Sequence, residues 1–142
     1  MNFIEIKKEN KNILADFIPK IDSNFFRYFD KRNINCIENH ILTIAIEFEN
    51  EIIGYAHIDK DNDINWFGIF ILNNFTNKGI GLKTSNYILN HNKIKFLEKI
   101  SLSVDKDNIS AIKLYEKLGF KLSQEKETYI FMERLNQIQP FL

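Results

Sequence analysis

Hydrophobic and polar positions change their spacing several times along this chain, and each change marks an element. "NFIEIKK", residues 2–8, alternates and reads as a first strand. "NKNILADFIPKI", residues 10–21, reads as a short helix ending near Pro19, because proline disfavours helix in the residue before it. In "DSNFFRYFDKR", residues 22–32, Asp22 or Ser23 offers a cap, and Phe25, Phe26 and Phe29 share one helical face. "HILTIAIEFEN" and "EIIGYAHIDK" then alternate with period two around "ENE", which predicts a β-hairpin. After a second turn at "DNDIN", the run "WFGIFIL" is almost wholly apolar and suits a central strand buried on both faces. A helix follows from about Ile80 to His91, then a strand at "KISLSV" and a helix at "NISAIKLYEKLG". That helix puts Ala111, Leu114, Tyr115 and Leu118 on one face, with Gly119 where a left-handed C-terminal cap belongs. "FKLSQ" and "TYIFMER" close the chain as a strand pair. The order β-α-α-β-β-β-α-β-α-β-β predicts an α/β fold with a mixed sheet.

Composition narrows the class. The 142 residues suit one domain, and 44% hydrophobic with 27% charged residues supports a packed core. Lysine plus arginine equals aspartate plus glutamate, so the formal charge is zero, which argues against a nucleic-acid partner. The single cysteine, Cys36, allows neither an internal disulfide nor a thiolate metal cluster, and no metal is expected. The N-terminus has no secretory pattern, and no stretch approaches a membrane span, so a cytoplasmic protein without a membrane partner is expected.

The stretch "NFTNKGIGLKTSNYIL", residues 74–89, holds two of the five glycines, Gly79 and Gly81, at the start of a helix. A central strand, a tight glycine turn and a helix N-terminus together make an anion site. The first amides of a helix lack partners, and its dipole is positive there. Backbone from Asn77 and Lys78 through Gly79, Ile80, Gly81 and Leu82 could meet a diphosphate. A plain strand–helix turn explains the glycines equally well at this point. The third glycine of a dinucleotide fingerprint is replaced by Thr84, and no P-loop pattern is present.

"DNISAIKLYEKLGF", residues 107–120, changes the balance. Asn108, Ala111, Leu114, Tyr115, Gly119 and Phe120 fall in the register N-x-x-A-x-x-L-Y-x-x-x-G-F. With Gly79 and Gly81 in the loop register Q/R-x-x-G-x-G/A, residues 41–134 resemble the GNAT superfamily of N-acetyltransferases. Thr76 stands where that loop usually has Gln or Arg. The resemblance implies acetyl-CoA as cofactor and a central strand splayed from its neighbour. The backbone of Phe70 and Ile71 would then contact the pantetheine arm.

The resemblance also implies transfer of acetyl to the amine of a small molecule. Tyr115 would be the general acid near the sulfur, or a core tyrosine packed on Leu114 and Leu118. Asn108 caps its helix, contacts the cofactor, or both. His57 and Asp59 share one face of a strand. His57 is the candidate base, with a structural histidine as the alternative. His57, Asp59 and Trp66, with Phe26, Arg27 and Tyr28 from the second helix, are the expected acceptor-side residues; the alternatives are a Trp66 that fills the core and a second helix whose charges form a solvated face over its Phe stripe. A nucleotide-linked amino sugar of a surface-glycan pathway is the expected acceptor. A peptide N-terminus, a polyamine and a non-catalytic acyl-CoA sensor are the alternatives. A homodimer is the candidate assembly.

Overall fold

A computed structural model describes residues 1–20 and 40–136. The expected second helix, with Phe25, Phe26, Arg27, Tyr28 and Phe29, lies outside the described residues, as does Cys36. Strands β1 (Asn2–Glu5), β2 (His40–Phe48), β3 (Glu51–Asp61), β4 (Ile64–Ile71), β5 (Lys99–Asp105), β6 (Lys121–Glu125) and β7 (Tyr129–Leu135) form one sheet. Its order is β1-β2-β3-β4-β5-β7-β6. Helix α1 (Ile80–Leu89) connects β4 to β5, and α2 (Ile109–Lys117) connects β5 to β6.

The first expected helix is instead two short 3-10 segments, Lys8–Leu14 and Ile18–Lys20. Asn10 breaks the helical dihedrals, and Pro19 limits the length to one at which an α-helix is marginal. Leu14 and Phe17 from this region nevertheless bury against Ala45, Tyr55 and Phe70 on one face of the sheet.

Both hairpins turn on two residues. Glu49 and Asn50 join β2 to β3, and Asn62 and Asp63 join β3 to β4, all four with positive φ between 51° and 66°. That is the geometry of a type I′ turn, whose twist matches the flanking strands. The other face of the sheet carries both helices. Ile44, Ala56, Ile58, Phe67, Ile100 and Leu102 from the strands meet Ile88 and Leu89 of α1 and Tyr115 of α2 in one buried cluster.

Strand β5 sets up the site. Along β7 it pairs antiparallel at all seven residues, Lys99 to Asp105. Along β4 it pairs in parallel at one position, Trp66 with Ser101. Beyond that point the two central strands separate. The expected splay is present, and it corrects the expectation that "WFGIFIL" is buried on both faces. Only Phe67 of β4 is buried, because the strand's C-terminal half borders an opening.

Candidate active site

The opening between β4 and β5 is a cleft of about 680 Å³. Ile69, Phe70 and Ile71 form one wall, and Ser103, Val104 and Asp105 the other. Asn77, Gly79, Gly81 and Leu82 lead into α1, and Asn108, Leu114 and Tyr115 belong to the α2 side. Eight of the sequence-predicted positions therefore meet in one cavity: Phe70, Ile71, Asn77, Gly79, Gly81, Leu82, Asn108 and Tyr115. Lys78 and Ile80 do not line it. The Lys78 ammonium lies 5.8 Å from the Phe75 ring centre, and Ile80 buries with Ile46 and Ile53.

The two glycines do different things. Gly79 is the N-cap of α1 at φ 79°, following Asn77 at φ 61°. A Cβ on Gly79 would touch nothing within 4 Å, so the demand there is conformational. Gly81 has no such dihedral. A Cβ there would lie 3.2 Å from Leu114 Cδ2, so glycine lets α1 approach α2 closely. No side chain caps the α1 start. The first bond back along the helix runs from Lys83 N–H to the Gly79 carbonyl at 3.1 Å. The amides of Ile80, Gly81 and Leu82 are thus the partnerless first-turn donors that suit an anion.

Which backbone groups of β4 face the cleft follows from the hairpin. Leu72 N–H donates to the Ile53 carbonyl at 2.9 Å, and Asp61 and Ile64 close a two-residue turn. Even-numbered residues of β4 therefore bond to β3, and odd-numbered ones point the other way. The amide and carbonyl of Ile69 and Ile71 face the cleft. Those of Phe70 face Tyr55, which corrects the backbone contact expected of Phe70. Its side chain instead packs edge-on against Phe17, with centroids 6.1 Å apart. Ile69 is a cleft residue that the sequence reading missed. The two-residue turn at Asn62–Asp63 carried the signal, because it fixes which pairs in β4 are hydrogen-bonded.

Tyr115 is a core residue that also borders the cleft. It packs edge-on against Phe67 and Phe120, at 6.2 and 5.9 Å, and also lines the cleft. Burial pushes its phenol up to about 12, so it holds its proton more tightly than an ordinary tyrosine, which is itself protonated at neutral pH. The end of its helix is fixed by a Schellman cap. Phe120 N–H donates to the Tyr115 carbonyl at 3.0 Å, and Gly119 N–H, at φ 93°, to the Glu116 carbonyl at 3.1 Å. Arg134 Nε adds a 2.8 Å bond to the Leu118 carbonyl. Asn108 caps its helix, its Oδ1 accepting from Ala111 N–H at 3.3 Å, and it borders the cleft.

His57, Asp59 and Trp66 lie on the sheet face opposite the helices and do not line the cleft. His57 is 5% exposed and Asp59 6%. The His57 ring stacks on His40 at 4.4 Å and on Tyr55 at 5.3 Å. Trp66 tilts against Phe131 at 5.7 Å, and Phe131 meets Tyr129 edge-on at 5.4 Å. Opposite His57 in the next strand stands Gly68, which places no side chain on that face. Among the described residues, no group of His, Cys, Asp or Glu could hold a metal ion, and no helix is long and apolar enough to cross a membrane.

A splayed parallel pair, an uncapped glycine-led helix and a buried tyrosine thus meet in one cleft. The model described as the acetyltransferase (GNAT) family matches residues 9–120, and the chain belongs to that family of N-acetyltransferases. It is 23% identical to a Bacillus subtilis (strain 168) protein named spermine/spermidine N(1)-acetyltransferase, over 88% of this chain and 90% of that protein. A GNAT-family acetyltransferase structure from Streptococcus pneumoniae aligns with a TM-score of 0.77 at 19% identity, covering 96% of this chain and 99% of the other. A second, from Staphylococcus aureus Mu50, aligns with a TM-score of 0.73 at 23% identity over the same shares. Members of the family take their acetyl group from acetyl-CoA.

Proposed function

We propose that this cleft holds acetyl-CoA and that the enzyme acetylates a primary amine of a small polyamine. One observation carries the cofactor assignment: the same cavity is bordered by free strand backbone at Ile69 and Ile71 and by the uncapped start of α1. An extended amide-bearing arm can pair with the first, and a diphosphate can accept from the second. When bound, acetyl-CoA supplies the acetyl group as a thioester.

The protein's own groups then have distinct tasks. A cleft-facing amide of Ile69 or Ile71 donates to the carbonyl oxygen on which charge develops. Tyr115, protonated at neutral pH, donates its proton to the departing sulfur. The acceptor must arrive as a free amine, and deprotonating an alkylammonium at pH 7 costs about 4.6 kcal/mol. His57, paired across the strands with Gly68, is the candidate base for that proton. Asp59 can hold a cationic acceptor by charge, and Trp66 with Phe131 by its ring faces. As a place for small-molecule amines, this face makes no demand on nucleic acid or membrane. A cytoplasmic location and a single domain spanning the chain are parts of the same proposal.

The polyamine is preferred because the Bacillus subtilis relative bears that name across nearly its whole length. The expectation of a nucleotide-linked amino sugar has no such support. A thiol-release assay with spermine, spermidine, a nucleotide-linked amino sugar and a peptide N-terminus tests the choice. Turnover is expected with the polyamines. Turnover confined to the sugar or the peptide would refute it, and thioester binding without turnover on any amine would make the chain a sensor.

A further inference from the structure

Two lysines on the cleft wall have no task in the mechanism above. Lys113 and Lys117 lie four residues apart on α2, so they share a face, with Ser110 one turn before Lys113. All three line the cleft. The contact that would form between a Gly81 Cβ and Leu114 shows that this part of α2 lies against the start of α1. The lysine stripe and the start of α1 therefore border the same cavity.

Neither lysine has an ion pair or hydrogen bond among the described residues. The next lysine upstream, Lys106, is paired with Glu125 at 3.4 Å. Among the lining residues the acid is Asp105, at the end of β5 before α2 begins. The α2 side of the cleft thus carries two lysines with no ion pair among the described residues, in a protein with no net charge.

Coenzyme A carries two separate phosphate features, a diphosphate and a ribose 3′-phosphate. The amides of α1 are directional donors suited to the first. The second is a monoester with nearly two negative charges at neutral pH, and it lies beyond the diphosphate, toward the nucleotide end. Ammonium groups on flexible stems bind such a group as point charges. We propose that Lys113 and Lys117 recognise the 3′-phosphate and so make the enzyme select coenzyme A thioesters over their 3′-dephospho forms. The inference rests on the acetyl-CoA reading of the cleft.

Calorimetric titration of the purified protein with acetyl-CoA and with 3′-dephospho-acetyl-CoA tests it. Exposed ion pairs are individually weak, so the native protein should prefer acetyl-CoA by about fivefold to tenfold at low salt. The preference should shrink as salt is added. In K113Q/K117Q, whose glutamines keep helix propensity, the gap should fall below about twofold through weaker acetyl-CoA binding alone. Equal affinity of the native protein for the two thioesters would overturn the proposal. So would a double variant that weakens both alike. If neither thioester binds, the reading of the cleft itself fails and this inference falls with it.

Discussion

Helices α1 and α2 flank the same cleft and begin in opposite ways. At α2, Asn108 folds its side chain over the first turn and accepts from Ala111 N–H. At α1, Gly79 occupies the cap position with no side chain to offer, in a left-handed conformation reached after a left-handed Asn77. A capped helix start is finished within the protein. An uncapped one leaves donors for something else. Under the proposed function the two helices have different work: α1 would offer a ligand its backbone, and α2 its side chains, Tyr115 foremost. Both starts would look alike in a diagram of elements. Only the cap chemistry separates them.

The largest expected effect comes from the side-chain helix. Tyr115→Phe keeps the ring packed between Phe67 and Phe120 and removes only the proton donor. The turnover rate should fall by about a hundredfold or more, as for loss of a positioned general acid. Acetyl-CoA affinity, measured by calorimetry, should stay within about twofold. Unchanged turnover would return Tyr115 to a purely structural role. The same variant has a pH signature. The folded-state phenol titrates near 12 because of burial, above an ordinary value of 10. The folded protein therefore binds that proton more tightly than the unfolded chain. Its contribution to stability is complete below pH 10 and is lost as pH rises from 10 to 12. Urea unfolding across that window should show a steeper loss for the native protein than for Tyr115→Phe.

The next effect compares the two starts directly. Asn108→Ala removes a cap and should cost about 1 kcal/mol of stability. Gly79→Ala forces a side chain into the left-handed region and should cost about 1–2 kcal/mol. The stability losses are similar, so the ligand decides. Acetyl-CoA should raise the melting temperature of Asn108→Ala nearly as much as that of the native protein, and that of Gly79→Ala much less. Equal protection of both variants would mean that the α1 start holds no phosphate.

Much of this contrast was legible in the sequence, and the gaps have physical causes. Strand and helix periods gave the described elements in order, because each buries one face and repeats its apolar positions accordingly. The glycine pair was visible, but sequence spacing could not separate its two roles. Gly79 answers to a dihedral angle and Gly81 to a neighbour, Leu114, far along the chain. For the β4 backbone the sequence pointed to Phe70 and Ile71, whereas the groups that face the cleft are those of Ile69 and Ile71. Side chains alternate in register with the hydrophobic pattern, whereas amide direction is set by the hairpin turn. The first expected helix failed because hydrophobic spacing was present over a segment too short, and too rich in asparagine, to hold α geometry. The acceptor side was least legible: His57 was named from its chemistry, but its stack on His40 comes from the pairing of β2 with β3, and its stack on Tyr55 from alternation along β3.

The smallest effect probes what holds α1 in place behind its open start. Its buried face includes Thr84 and Ser85, both fully buried, between the apolar Ile80 and Ile88. Neither hydroxyl has a hydrogen-bond partner among the described residues. The described buried face of α2 carries no such orphan hydroxyl. A buried polar atom without a partner costs more than an apolar group of the same shape. Thr84→Val and Ser85→Ala should therefore each stabilise the protein by about 0.5–1 kcal/mol in urea unfolding. Valine and threonine have similar helix propensity, so the first change isolates the hydroxyl. If acetyl-CoA affinity is unaltered in the stabilised variants, recognition resides in the first turn alone. If it weakens while stability rises, the seat of α1 on the sheet also sets where its free amides point, and the open start depends on a helix held less tightly than its packing would allow.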